Sequence, residues 1–364
     1  ALVEQKQPLN RNAVELGLTG NLCRCTGYQQ IYDAALSLDI SRVPRLSERY
    51  QNRKIDKELE KNSETPALIL ASAELYGEKD MKAFLPVTLT DAVDFLEEHP
   101  ESLLVAGGTD VSVKLNKKQL EHGTVLCLNH VEELKTLSLE GDTLIVGAGL
   151  NWTELEHYCK EKLPEFHKIL KTFGSPQIRN AGTLAGNIAN ASPIADGVPF
   201  LFVTDSEVEL TGSSGVRLVP VEKFYLGYKK MDRRPEELIS RIRIRLPNNK
   251  DRFRLYKVSK RHDLDISTFT AALRMSVREN QVQDSRLAMG GVAPVVMRLR
   301  QTEKWLQGRE FTLSNMRKAG QKAQEEISPI SDVRASRGYR LQLAANIFEK
   351  FYYESDQQSV TEPV

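Results

Sequence analysis

A tract of small residues at positions 181–196 sets the strongest limit on how this chain can fold. Glycine and alanine alternate there with hydroxyl and amide side chains, and Asp196 stands at the end. A plain core strand would carry more valine, leucine and phenylalanine. Small residues let a backbone approach another surface closely, and the hydroxyls and amides supply hydrogen bonds. The tract therefore predicts a backbone surface pressed against a polar ligand.

A second glycine-rich segment, residues 107–110, follows a short apolar run at residues 103–106. Consecutive backbone N–H groups at such a turn can cradle a pyrophosphate. The spacing is not G-x-G-x-x-G, which argues against a Rossmann dinucleotide site. Taken alone, a tight turn is the better interpretation of this segment.

Hydrophobic periodicity predicts an α+β fold from about residue 81 onward, because strand and helix patterns mix without regular alternation. This region of mixed strands and helices is predicted to end near residue 247. The features expected within this region are strands at 84–87, 103–106 and 125–128, a helix at 91–98 capped by Thr90, and hairpins about residues 141–142 and 213–215.

The rest of the chain divides into three further parts. Residues 1–46 have a helical pattern, and residues 47–80 are predicted to be a linker. Residues 47–66 are almost wholly polar, which indicates a linker or a solvated helix and excludes a core element. Residues 248–364 are expected to form a separate small α+β domain. Its expected strands are at 253–258, 269–277 and 282–289, followed by helices at 301–306, 314–326 and 336–353.

The composition excludes several classes of protein. Lys and Arg number 50 and Asp and Glu number 49, so the chain is not a basic nucleic-acid binder. No apolar run approaches the roughly 20 residues that a membrane span needs. Four cysteines in 364 residues do not make a disulfide scaffold, and this favours the cytoplasm.

Cys23 and Cys25 stand one residue apart between glycines, a spacing that suits one metal or one edge of a cluster. A [2Fe–2S] cluster takes four ligands, however. Cys127 lies in an apolar strand and Cys159 in a helical stretch, and both are predicted to be core residues. The six histidines are scattered without ligand spacing, which favours chemistry carried by a cofactor.

Several motifs, in chain order, resemble the xanthine dehydrogenase family of molybdenum hydroxylases. Residues 20–28 resemble the second half of its helical [2Fe–2S] domain. Residues 105–110 and 182–196 resemble its two FAD pyrophosphate loops, and residues 256–267 resemble the opening of its C-terminal flavoprotein domain. The C-x-x-C pair that completes the cluster in the family would stand before the first residue of this chain.

The resemblance implies a fold for each part of the chain. A partial helical [2Fe–2S] domain would occupy residues 1–46. A two-lobed FAD-binding domain of the vanillyl-alcohol-oxidase (PCMH) type would occupy residues 81–247, and a small α+β flavoprotein domain would follow.

The resemblance also implies roles for particular residues. Phe173 and Ile239 would contact opposite faces of the isoalloxazine, although core packing is the alternative for Phe173. Lys257 would contact the cofactor, with a solvated strand lysine as the alternative, and Asp265 would border the nicotinamide side of the flavin. Cys23 and Cys25 would bind the cluster. The residues implied to contact the pyrophosphate, ribityl or sugar groups are Ala106, Gly107, Gly108, Thr109, Asp110, Thr183, Gly186, Asn187, Asn190, Ser192 and Asp196.

In function, the resemblance implies an FAD-bearing electron-transfer subunit that lies between [2Fe–2S] centres and NAD⁺, in a hetero-oligomer with a molybdenum-binding large subunit. The cysteine pair precedes the flavin motifs on one polypeptide, which favours the xanthine dehydrogenase type over the carbon monoxide dehydrogenase type. Three alternatives stay open: an aldehyde or another N-heterocycle as substrate, O₂ as acceptor, and a non-catalytic flavin-binding or assembly module.

A strand pattern at residues 239–247 alternates strictly, so Arg241, Arg243 and Arg245 share one face. Ile242, Ile244 and Leu246 share the other face. A solvated sheet face is the simplest interpretation of the arginines. Because three like charges repel one another, an acidic patch on a partner subunit or the NAD pyrophosphate would also suit this row.

Overall fold

The computed structural model describes residues 2–5, 8–21, 25–71, 81–120, 123–262 and 264–356. Within these ranges no helix combines the length and the apolar character that crossing a membrane requires. Helices and mostly antiparallel sheets are combined, so the predicted α+β class is confirmed.

The first part of the chain forms short helices that bury little. Asn10 begins the first helix by accepting a hydrogen bond from the Ala13 N–H at 2.9 Å, and Val14 is buried. Every described side chain of the fourth helix is exposed, as its polar sequence predicts. These helices are α1 (Arg11–Leu18), α2 (Gln29–Leu36), α3 (Leu46–Arg49) and α4 (Arg53–Ser63), with 3₁₀ turns at Val3–Gln5 and Ile40–Arg42.

A mixed sheet builds the first lobe, in the order β1 (Ala67–Ala71), β2 (Met81–Leu85), β4 (Thr124–Cys127) and β3 (Leu103–Val105). β2 and β3 run parallel to β4, and α5 (Leu89–Glu98) and α6 (Val111–Asn116) provide the crossovers. β1 falls within the range predicted to be a linker, and it pairs antiparallel with β2.

Thr88, rather than the predicted Thr90, begins α5. Its Oγ1 accepts a hydrogen bond from the Asp91 N–H at 3.0 Å, and the Asp91 carboxylate accepts one from the Thr88 N–H at 3.1 Å. This reciprocal pair satisfies two backbone donors that lack a partner inside the helix. The acidic residue three positions on therefore sets the helix start, and the prediction of Thr90 is wrong.

An antiparallel sheet carries the second lobe and the main core, in the order β5 (Leu137–Glu140), β6 (Thr143–Gly147), β11 (Leu238–Arg245), β7 (Glu207–Gly212) and β8 (Gly215–Pro220). Both predicted hairpins are confirmed. β9 (Tyr225–Gly227) and β10 (Lys230–Met231) form a small ribbon. The helices of this region are α7 (Trp152–Lys162), α8 (Pro164–Thr172), α9 (Pro176–Ala181), α10 (Leu184–Ala189), α11 (Val198–Val203) and α12 (Val221–Phe224), with 3₁₀ turns at Leu128–His130 and Glu132–Lys135.

The C-terminal part has its own core, as predicted. The strands lie in the order β12 (Arg252–Val258), β13 (Phe269–Arg278), β14 (Gln281–Gly290) and β15 (Met297–Arg298). Three helices pack on this sheet and bury Phe269, Phe348 and Phe351 completely. They are α13 (Arg300–Leu306), α14 (Leu313–Glu326) and α15 (Arg337–Asp356).

The arginine row on β11 has carboxylate partners within the chain. The pairs are Arg241 with Glu209 at 2.8 Å, Arg243 with Glu140 at 3.6 Å and Arg245 with Asp142 at 3.3 Å. Glu209 lies on β7, which pairs directly with β11. Glu140 on β5 and Asp142 in the β5–β6 turn lie one strand further away, beyond β6. These ion pairs place a carboxylate of the same chain beside each arginine, so the row does not need a partner subunit or NAD to balance its charge.

Candidate functional site

A cleft of about 580 Å³ opens where β3 ends. The loop at residues 106–110 forms one wall, and the start of α10 with the segment before it forms the other. The carboxyl ends of parallel strands are frequent ligand sites in sheets with crossover helices. The cleft is lined by ten of the residues that were predicted to contact a flavin nucleotide: Ala106, Gly107, Gly108, Thr109, Asp110, Phe173, Thr183, Gly186, Asn187 and Asn190.

Gly107 brings the two glycine-rich segments into contact. A Cβ at this position would lie 1.9 Å from the Ala181 carbonyl oxygen and 2.7 Å from the Gly182 Cα, so a side chain does not fit. Gly108 has a φ of +68°, in the left-handed region that glycine adopts without strain. The close approach that Gly107 permits is therefore to the chain's own backbone, and both glycines build the wall of the cleft.

The opposite wall is the first turn of α10. Thr183 Oγ1 accepts a hydrogen bond from the Gly186 N–H at 2.9 Å and begins the helix. Gly186 is exposed to the cleft, and among the described residues a Cβ built on it meets Thr183 Oγ1 alone, at 3.1 Å. The absence of a side chain at Gly186 therefore leaves room for a ligand, and a Cβ there would require Thr183 Oγ1 to shift by only a few tenths of an ångström.

Asn187 supplies a polar atom that points to a missing partner. Its Oδ1 is buried, and it has no hydrogen-bond partner in the part of the chain that the structure describes. A buried acceptor left unsatisfied costs about 1–3 kcal/mol. A ligand hydroxyl that donates a hydrogen bond to Asn187 Oδ1 would remove that cost.

Two lysines place positive charge near the cleft. Lys114 lines it and pairs with Asp110 at 2.6 Å. Lys229 Nζ, on the turn between β9 and β10, donates to the Asn190 Oδ1 at 2.9 Å and to the Asn190 carbonyl. Partial burial and the nearby Lys114 lower the pKa of Lys229. An anionic ligand would relieve the repulsion between the two lysines.

An aromatic pair forms part of the same lining. The Trp152 and Phe173 ring centroids lie 4.6 Å apart at an interplanar angle of 47°. Ile178 and Ile266 also line the cleft, and Ile266 is 63% exposed. The cleft thus combines an apolar ring surface with backbone and cationic groups, which suits a ligand that has a flat ring and phosphates.

Lys257 and Asp196 lie away from the described lining, in a buried cluster that joins the two domains. Lys257 Nζ donates to Asp196 Oδ2 at 2.6 Å, to Ser267 Oγ at 2.8 Å and to the Asp265 carbonyl at 3.1 Å. The Ser267 hydroxyl donates to Asp196 Oδ1 at 2.6 Å. The Lys257 side chain is 4% exposed, so it is not a solvated strand lysine. Both Asp196 oxygens already have protein donors.

Ser192, Ile239 and Asp265 also stand outside the set of described residues that line the cleft. Ser192 Oγ accepts a hydrogen bond from the Ile194 N–H at 3.4 Å, and Ile239 is buried in the main core. Asp265 accepts hydrogen bonds from Arg261, at 2.8 Å from its Nε, and this lowers the pKa of Asp265. The roles of these three residues at a flavin stay predictions.

The three cysteines that the structure describes lie in separate parts of the chain. Cys25 is exposed, and Cys23 lies outside the described residues. Cys159 is buried in α7, as predicted, and burial raises the pKa of its thiol to about 12. Cys127 is only half-buried, and burial raises its pKa too. In the described part of the chain no three His, Cys, Asp or Glu residues are placed to hold a metal ion.

Nine of the described lining residues were not among the predicted contacts: Leu103, Leu104, Val111, Lys114, Trp152, Ile178, Gly182, Ala189 and Ile266. Lys114 stands one helical turn after Asp110, so the predicted loop and helix could have indicated it. Ile266 is part of the motif at residues 256–267. Trp152 and Ile178 reach the cleft through packing between α7 and α9, for which the sequence carries no local signal.

Known proteins share this architecture. The structure of carbon monoxide dehydrogenase from Hydrogenophaga pseudoflava matches 76% of this chain and 97% of that chain with a TM-score of 0.72 and 24% identity, which shows a common fold. Xanthine dehydrogenase from Emericella nidulans is 28% identical over 97% of this chain, and the chain spans 30% of the length of that protein. The xanthine dehydrogenase FAD-binding subunit from Escherichia coli O157:H7 is 28% identical over 74% of this chain and 93% of that subunit.

Two domain families match the chain in tandem. Residues 79–248 match the FAD binding domain in molybdopterin dehydrogenase, and residues 254–355 match the CO dehydrogenase flavoprotein C-terminal domain. These matches confirm the predicted order of an FAD-binding domain followed by a small flavoprotein domain. The chain therefore belongs to the FAD-binding flavoproteins of the molybdenum hydroxylase family, as a homologue of xanthine dehydrogenase FAD-binding subunits.

Proposed function

We propose that this chain is the FAD-bearing electron-transfer subunit of a xanthine dehydrogenase-like enzyme. The cleft carries the proposal, because both glycine-rich segments meet there around an aromatic ring and two lysines. The chain would hold the flavin between [2Fe–2S] centres and NAD⁺. A separate large subunit would bind molybdenum and carry out purine hydroxylation. The cytoplasmic location stays a prediction from the sequence.

The residues of the cleft fit FAD. The loop at 106–110 and the start of α10 would hold the diphosphate, with Lys114 and Lys229 opposing its negative charge. The unsatisfied Asn187 Oδ1 would accept a hydrogen bond from a ribityl hydroxyl. Phe173, supported by Trp152, would lie against one face of the isoalloxazine.

Bound FAD would supply the ability to accept electrons singly and release them as a pair. The protein's own task is to fix the position of the ring and to exclude water from one side of it. Trp152 is 2% exposed and keeps the space behind Phe173 dry. The buried cluster of Lys257, Asp196 and Ser267 fixes the C-terminal domain against the segment that follows α10.

The cysteine segment begins close to the wall of the cleft. A Cβ at Gly20 would lie 2.7 Å from the Ser175 Cβ and 2.4 Å from Gln177 Oε1, so this loop packs on the start of α9. Ser175 stands two residues after Phe173. This contact supports an electron donor placed next to the flavin. The sequence of this segment carries two cysteines, and a [2Fe–2S] cluster takes four ligands, so the segment would not complete a cluster by itself.

This ligand count gives a prediction. The 364-residue chain alone, reduced with dithionite after reconstitution with iron and sulfide, is expected to show no stoichiometric [2Fe–2S] signal in electron paramagnetic resonance. Replacing Cys25 with serine should change nothing in that spectrum. A signal that integrates to one cluster per chain, and that disappears in Cys25→Ser, would show that the ligand count is wrong.

The acceptor is tested with NADH, because electron transfer between a flavin and NAD⁺ runs in both directions. Under anaerobic conditions, NADH is expected to bleach the visible flavin absorption of the FAD-loaded chain. The Gly186→Val variant, which should lack FAD, serves as the blank. If NADH leaves a fully loaded chain unreduced while dithionite reduces it, NAD⁺ is not the acceptor of this chain.

A further inference from the structure

The backbone makes a sharp turn directly after Phe173. Phe173 ends α8, and Gly174 follows with a φ of +54° before Ser175 begins the next helix, α9. The carbonyl groups of residues 173 and 174 therefore fall outside both helices. Whatever holds these two carbonyls also sets the direction in which the Phe173 ring enters the cleft.

Arg179 holds both carbonyls. Its Nη1 donates to the Phe173 carbonyl and to the Gly174 carbonyl, each at 3.1 Å. The Arg179 side chain is 13% exposed, so these hydrogen bonds form largely out of water. Hydrogen bonds from a charged donor are roughly twice as strong as neutral ones.

Glu156 connects Arg179 to α7. Its Oε2 lies 3.2 Å from Arg179 Nε, although the Nε–H is not aimed well enough for a hydrogen bond, so the contact is an ion pair. Trp152 stands four residues before Glu156 on α7, and residues at this spacing share a helix face. One face of α7 therefore supports Phe173 in two ways. Trp152 contacts the Phe173 ring, and Glu156 pairs with Arg179, which holds the Phe173 carbonyl.

We infer that Arg179 is a positioning residue that sets the Phe173 ring in the cleft through the two carbonyls that follow α8. The inference rests on the proposed FAD site, since Phe173 matters to the reaction only if a flavin lies against it. Arg179 does not line the cleft in the described chain, so it acts on the ligand through Phe173. Its planar guanidinium and its charge are both needed to reach two carbonyls and Glu156 together.

The test compares Arg179→Met and Arg179→Lys with Arg245→Met, a control that removes an exposed arginine from a surface ion pair. The full chain is used in a Trp305→Phe background, so Trp152 is the one remaining tryptophan of two. In Arg179→Met without flavin, acrylamide is expected to quench Trp152 several-fold more efficiently than in the control. Arg179→Lys should fall between them, because an ammonium lacks the fork geometry.

The same variants are then loaded with FAD. The dissociation constant for FAD should rise by less than about tenfold, because the diphosphate contacts stay intact, while the visible flavin band broadens and its fluorescence increases. Trp152 quenching and a flavin band equal to those of Arg245→Met would overturn the inference. If Arg179→Met does not fold, Arg179→Lys decides: values between wild type and a several-fold increase in quenching support the inference, and values equal to those of Arg245→Met overturn it. A wild-type chain that binds no FAD would refute the proposed function, and Trp152 quenching would still decide the role of Arg179.

Discussion

Replacing Gly186 with valine is expected to abolish FAD binding and to leave the fold intact. A Cβ at this position meets Thr183 Oγ1 alone among the described residues, and the valine methyl groups would occupy the cleft. Displacing the diphosphate would break charged hydrogen bonds worth about 1.5–3 kcal/mol each. The dissociation constant, measured by quenching of flavin fluorescence, should therefore rise on the order of 100-fold or more. The melting temperature of the FAD-free chain should stay close to the wild-type value.

Gly107→Val provides the contrast, because there the side chain would meet the Ala181 carbonyl instead of the ligand. This variant should lose both FAD binding and stability. Gly338→Val is the matched control, since no described atom lies within 4 Å of a Cβ at that glycine. If Gly186→Val binds FAD as tightly as Gly338→Val does, the start of α10 is not a wall of the FAD site.

Replacing Lys257 with methionine is expected to give the largest loss of stability. The side chains of Lys257 and Asp196 are 4% and 8% exposed, and the change leaves the carboxylate buried with Ser267 as its remaining side-chain donor. Breaking a buried ion pair by removing one partner costs about 3–5 kcal/mol. Urea denaturation of the FAD-free chain should show a decrease of this size in the free energy of unfolding.

Two further variants separate the buried pair from a general effect of losing a lysine. Lys322 pairs with Glu325 on the surface, where the two side chains are 44% and 67% exposed, so Lys322→Met should cost less than about 1 kcal/mol. Adding Asp196→Leu to Lys257→Met should recover part of the loss, because no buried charge is then left unpaired. Equal losses for Lys257→Met and Lys322→Met would show that the buried cluster does not stabilise the junction of the two domains.

Much of the cleft could be predicted from the sequence, because its walls are continuous segments. The turn at 107–110 and the start of α10 each consist largely of adjacent small residues, so the local sequence is enough to indicate them. The local sequence does not show that Gly107 contacts Ala181, because that contact joins residues more than seventy positions apart. The function of Gly107 in building the wall therefore emerged only from the fold.

The sequence does not predict the partners of side chains that contact other helices, strands or domains. No acid stands between the arginines of the β11 row in the sequence, so the local pattern indicates no partner for them, although β5, β7 and the β5–β6 turn supply the carboxylates. The sequence predicts that Lys257 contacts the cofactor or solvent, whereas Asp196 and Ser267 accept hydrogen bonds from it across the domain junction. Strand pairing decides the partners of the arginine row, and the contact between the two domains decides the partners of Lys257. The local sequence pattern predicts neither.

The most direct test of the account is the identity of the bound cofactor. The purified full chain, saturated with a mixture of FAD and FMN, is separated from unbound flavin and denatured with acid, and the released flavin is identified by chromatography. In the proposed site two segments would hold the diphosphate, so about one FAD per chain and little FMN are expected in the wild type, with neither flavin in Gly186→Val. Release of FMN in place of FAD, or a wild-type chain that retains no flavin, would contradict the account.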